Sequence, residues 1–68
     1  MTTEQWNSLR LNDKEKLIST VFNNDYISVV HAYKDPEKDP VIQEVLSVCT
    51  LEEDTIHINI HKELKIKK

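Results

Sequence analysis

Three histidines, His31, His57 and His61, and one cysteine, Cys49, are the only nitrogen and sulfur ligands of the kind that metals usually take. His57 and His61 fall on the same face of a predicted strand with Asn59 between them, roughly 13 Å apart along an extended chain. That is too far for one ion without a bulge or a second subunit. No CxxC, helical HxxxH or HExxH spacing is present. The histidines therefore read as polar groups on the wet face of a strand, and neither a metal nor another cofactor is expected. A cysteine beside a histidine can also serve as a nucleophile. Cys49 lies in the apolar run VIQEVLSVC, however, where a small buried thiol is the commoner state.

Carboxylates are the other groups that could do chemistry, since paired acids can exchange protons with a substrate. They cluster at Asp35, Glu37 and Asp39 and at Glu52, Glu53 and Asp54, with Glu44 between. Both clusters fall in predicted loops, where solvated acids are ordinary. A chain of 68 residues has little volume for a closed active site. It also contains no glycine, so phosphate-cradling loops, dinucleotide fingerprints and nucleophile elbows, which need a backbone without Cβ at fixed positions, are excluded. Tight Asn-Gly hairpins are excluded too, and turns must be longer or use Asn, Asp and Pro. The chain is not expected to be an enzyme.

Charge points to a different kind of work. The formal net charge is −3, but His61 to Lys68 hold four lysines and one glutamate. Residues 1 to 60 are left with five basic and eleven acidic side chains, a net −6. Phosphate binding is driven by clustered Lys and Arg, so direct contact with nucleic acid is not expected. An acidic body is steered instead toward a basic protein. The N-terminus, MTTEQWNSLRLNDKEK, has no signal-peptide pattern, and no segment approaches the ~20 apolar residues of a membrane span. With a single cysteine, this predicts a cytoplasmic protein without a membrane partner.

The elements that must position these groups read as follows. Thr2 or Thr3 caps a short helix over Glu4 to Leu9. LNDKEKLISTVFNND is a second helix, capped by Asn12 or Asp13, with Leu17, Ile18, Val21 and Phe22 on one stripe and Asn23-Asn24-Asp25 as its stop. Its outer face offers only Arg10, Lys14 and Lys16, too few for a DNA-reading helix pair. DYISVVHAY, residues 25 to 33, is rich in β-branched and aromatic residues and reads as a strand. KDPEKDP is a loop. TIHINIHKELKI alternates, with Ile56, Ile58 and Ile60 on one side, and reads as one half-buried strand whose lysine-rich end guards a sheet edge. Trp6, Phe22, Tyr26 and Tyr33 read as core and edge residues.

Residues 41 to 51 are ambiguous. Asp39 as a cap, Pro40 at the first helical position and a stripe of Val41, Ile42, Val45 and Leu46 favour a helix. Val, Ile, Cys and Thr favour a strand, and so does the polar turn Glu52-Glu53-Asp54 leading into TIHINI. The strand reading is preferred. It yields one domain over residues 1–68, helical over 1–24, mainly β over 25–66, with a basic tail at 62–68. The fold class is α+β: an N-terminal helix or helix pair packed on a small antiparallel three-stranded β-meander. The alternative is α-β-α-β with residues 40–50 helical. Strands at 26–33 and 41–51 would be apolar on both faces, and a second copy of the chain would cover the face the helices leave open. A homodimer is therefore expected.

Three functions fit. The first is a non-enzymatic modulator that binds a basic protein through Asp35, Glu37, Asp39, Glu44, Glu52, Glu53 and Asp54, in its extreme form a DNA mimic filling a DNA-binding site. In size, acidity and lack of a catalytic motif the chain resembles, in kind, the small host-takeover proteins made by bacteriophages, which implies action in a host cytoplasm. The second is a small dimeric transcriptional regulator or antitoxin-like protein. The third is a structural or assembly subunit.

Overall fold

The computed structural model describes residues 1–59 and 62–66. Four helices precede a three-stranded antiparallel sheet. The α+β class and the three-stranded meander are as the sequence implies, but the meander is built from other residues.

Helix α1, Thr3–Ser8, is set by a reciprocal cap. The Thr2 hydroxyl accepts from Gln5 N at 3.1 Å, and Gln5 Oε1 accepts from Thr2 N at 2.9 Å, which satisfies two donors that a helix start leaves open. The cap holds Trp6 in the core, fully buried. Helix α2, Leu11–Phe22, begins one residue before the predicted caps. Arg10 is its N-cap, without a side-chain bond, and Asp13 lies in the first turn. Leu17 and Ile18 are fully buried, whereas Phe22 is left at the surface. With no glycine to end the helix, Asn23 takes the left-handed conformation (φ 53°), which asparagine tolerates better than most residues.

The first correction follows at once. Residues 25 to 31 form helix α3, Asp25–His31, not a strand. Asn24 Oδ1 accepts from Tyr26 N and Ile27 N at 3.0 and 3.4 Å. Asp25 sits in the positive first turn and His31 in the negative last turn. The caps override the strand preference of Tyr, Ile and Val, which spans only about 1 kcal/mol. Ser28 and Ala32, one turn apart and both buried, let α3 lie close along α2.

The second correction concerns residues 40 to 48. They form helix α4, Pro40–Val48, so the alternative reading of this segment holds and the preferred strand does not. Asp39 Oδ2 accepts from Ile42 N at 3.1 Å and Pro40 occupies the first turn. The stripe Ile42, Val45 and Leu46 then faces the core. The strands are β1, Cys49–Glu52, β2, Thr55–Ile58, and β3, Lys62–Lys65, in the order β1-β2-β3. The segment expected as one strand over residues 55 to 66 reverses between Ile58 and Lys62; Ile60 and His61 lie outside the described residues. Its phase is nonetheless right, because Ile56 pairs with Leu64 on the inner face and His57 with Glu63 on the outer. The span expected to be mainly β, 25–66, thus holds sixteen helical residues, in α3 and α4, against twelve in strands.

The β1–β2 hairpin is tighter than expected in a chain without glycine. Glu52 pairs with Thr55, leaving a two-residue turn in which Glu53 takes a positive φ of 53°. The core joins Trp6, Leu9, Leu17, Ile18, Ala32, Ile42, Val45 and Leu46 from the helical side to Cys49, Ile56 and Ile58 of the sheet. Only one sheet face is apolar. The outer face carries Thr50, Glu52, Thr55, His57, Glu63 and Lys65, so the second apolar sheet face that motivated a dimer does not exist.

Asp39 holds two elements at once, and this sets a stability test. His31 Nδ1 lies 2.9 and 3.0 Å from its two carboxylate oxygens. A carboxylate only accepts, so Nδ1–H donates. Asp39→Ala removes both the α4 cap and the tie to α3, and should lower unfolding free energy by about 1 to 3 kcal/mol in urea titrations. Asp39→Asn keeps a capping oxygen and should lose less.

Candidate functional site

Of the seven acids expected to form a binding face, Asp39 is withdrawn into the frame described above, and its side chain is mostly buried. The other six stand exposed on separate elements. Asp35 and Glu37 belong to the loop before α4. This loop is ordered by its own bonds. Asp35 Oδ1 accepts from Glu37 N at 3.0 Å, and the Asp35 carbonyl accepts from Lys38 N and Asp39 N at 3.1 and 2.8 Å. Glu44 lies on the outer side of α4. Glu52, Glu53 and Asp54 form the β1–β2 hairpin tip.

The structure adds one acid that sequence reasoning assigned to the basic tail. Glu63 faces outward on β3, level with His57. His57 Nε2 lies 3.4 Å from Glu52 and its Nδ1 lies 3.4 Å from Glu63. The two carboxylates thus sit on opposite nitrogens of one ring and do not converge on a point. Among the described residues no three His, Cys, Asp or Glu side chains are placed to hold a metal ion. The pairing of His57 with His61 lies outside the described residues.

Every ion pair among the described residues involves a histidine, and no Lys or Arg among them lies within 4.0 Å of a carboxylate. The surface is not uniformly acidic, however. Lys34 and Lys38 interleave the loop acids. Ile66 N donates to the Asp54 carbonyl at 2.7 Å, and Lys65 pairs across from Thr55. The start of the basic tail therefore lies beside the acidic hairpin tip, and body and tail are not separate poles.

A second exposed feature lies on α3, where the sequence implies a strand. Tyr26, Val29, Val30 and Tyr33 are 82%, 57%, 47% and 70% exposed. Their spacing of i, i+3, i+4 and i+7 places them on one face of α3. Ala32 keeps helical dihedrals at the C-cap, so Tyr33 stays in phase. The face turned inward is Ile27, Ser28, His31 and Ala32. Helix α3 is thus amphipathic in the reverse sense, its bulk outside and its small residues inside. Tyr26 and Tyr33 are surface residues of this stripe, not core or sheet-edge residues.

No family model, curated protein or solved structure matches this chain. No helix among the described residues is long and apolar enough to cross a membrane.

Cys49 is buried at the junction of α4 and β1, as its apolar surroundings predict. Burial pushes its thiol up to about 11, with the Met1 ammonium opposing the shift. The thiolate is the reactive form, so native protein near pH 8 should react with a disulfide reagent only as fast as it unfolds, and urea should expose one fast-reacting thiol. The sign on stability follows. The unfolded thiol ionises near its ordinary 9.0 and the folded one near 11. The folded state then binds more protons, and stability falls as pH rises from about 9 toward 11.

Proposed function

We propose that this chain is a non-enzymatic modulator that binds a basic site on another protein through its exposed carboxylates. The observation that carries this reading is that Asp35, Glu37, Glu44, Glu53 and Asp54 have no basic side chain among the described residues within ion-pair distance. The hairpin tip gathers three successive acids, Glu52, Glu53 and Asp54. Glu52 and Glu63 extend it across the outer sheet face, which carries no apolar side chain. An acidic face of this kind speeds encounter with a basic partner and loses affinity with salt.

The lysines beside the acids shape the partner. Lys34, Lys38 and Lys65 would meet like charge in a uniformly basic DNA-binding groove. They favour a basic surface that has acidic groups of its own, and they weaken the DNA-mimic form of the proposal.

The test is capture from lysate by the tagged chain at low and high salt, with wild type compared with the triple change Glu52→Lys, Glu53→Lys and Asp54→Lys. Wild type should retain a basic protein that high salt removes. The triple variant should retain none, while keeping the wild-type circular dichroism. A variant that captures the same protein equally well removes the hairpin tip from the interface.

A further inference from the structure

The outward stripe of α3 is not used by the acids, and a soluble domain does not need it. We infer that it is the seat of a two-fold dimer in which α3 packs antiparallel against α3 of a second copy. The stripe reads the same in both directions. In DYISVVHAYK the exposed positions run Tyr26, Val29, Val30, Tyr33, symmetric about the midpoint between the two valines. A two-fold axis at that midpoint brings each Tyr26 beside the partner's Tyr33 and stacks the valines at the centre. This is the self-complementarity that an isologous interface demands.

Asp25, nine residues from Lys34, stands on the opposite flank of the stripe and accepts from the Ser19 hydroxyl of α2, so charge takes no part in this contact. Antiparallel packing opposes the helix dipoles favourably. Val29 borders a groove whose other walls include Asn12, Glu15, Lys16 and Ser19 of α2, which supplies the polar rim that interfaces carry.

The size of the stripe sets the strength. Its four side chains leave on the order of 500 Å² uncovered per copy. Two such faces bury about 1,000 Å², the low end for a specific association. The dimer should be weak and concentration-dependent, with half-association on the order of tens of micromolar.

Sedimentation equilibrium of the full chain from about 5 to about 500 μM tests this. The average mass should climb from 8.0 kDa toward twice that value. Val30→Glu, at the centre of the contact and exposed in the monomer, should weaken association at least ~10-fold with an unchanged circular dichroism spectrum. Under oxidation a Tyr26→Cys chain mixed with a Tyr33→Cys chain should form the mixed disulfide in preference to either like pair, because antiparallel packing sets these two positions opposite each other. A chain that stays at 8.0 kDa throughout overturns the proposal and leaves the stripe to a different protein. A dimer indifferent to Val30→Glu overturns it in favour of another surface, and a mixture that forms the like disulfides as readily as the mixed one overturns the antiparallel register. None of these substitutions touches the hairpin tip, so this dimer and the acidic binding surface can fail independently.

Discussion

The fold turns on one carboxylate. Asp39 caps α4 through Ile42 N and at the same time accepts from His31 at the end of α3. Through these bonds it decides that residues 40 to 48 are helix, and where α3 stands relative to them. Much else follows from that decision. With α4 helical, Ile42, Val45 and Leu46 join Cys49, Ile56 and Ile58 of the sheet in one core. With that core formed, Tyr26, Val29, Val30 and Tyr33 are not needed in it, and α3 can turn its small residues inward. The loop from residue 35 to 39, closed by bonds to the Asp35 side chain and carbonyl, is the spacer that lets one side chain reach both helices.

Such an arrangement divides the molecule into unequal parts. The core draws on α1, α2, α4, β1 and β2, and α3 adds only Ala32 to it among fully enclosed apolar side chains. A domain of this size has a narrow stability margin. A helix of seven residues is marginal in water by itself, and α3 is held by its Asn24 cap, the His31 tie and close packing on α2 rather than by buried bulk. Its local stability is therefore expected to be lower than that of α4, and anything that covers its outer stripe would raise it.

What could be read from the sequence depended on whether the deciding signal was local. A cap at Thr2 or Thr3, the apolar stripe of α2, the loop at KDPEKDP, and the alternation of Ile56, Ile58 and Leu64 are local patterns, and all are legible, though the reciprocal bond to Gln5 that completes the Thr2 cap shows only in the structure. The caps of α4 are legible too, but they compete with the strand propensity of Val41, Val45, Val48 and Cys49. For α3 the error had a different source. YISVVHAY carries apolar residues at both helical and strand spacing, and its β-branched content tips the balance. The contrary signals, Asn24 before it and the small pair Ser28 and Ala32 within it, have meaning only once α2 lies alongside. The acids were legible by residue type, but not by role. Asp39 looks like its neighbours in sequence, and Glu63 looks like part of a basic tail until β3 folds it against His57.

The two surface features differ in what they can specify. Carboxylates in solvent act over a Debye length, about 8 Å in physiological salt, and select a partner by sign and approach. They are poor at fixing geometry, because long flexible side chains on a hairpin tip find several near-equal pairings. A stripe of two valines between two tyrosines acts only in contact and fixes register to within one turn. A chain with both can separate these tasks, the stripe setting how many copies stand together and the acids setting what they meet. Doubling an acidic tip by a two-fold axis raises its effective concentration at a partner that has two basic sites, without any new contact within a single copy. If both proposals hold, the inverted amphipathicity of α3 and the exposed carboxylates are parts of one physical arrangement, in which a small domain with a narrow stability margin uses the side chains left outside its core for association.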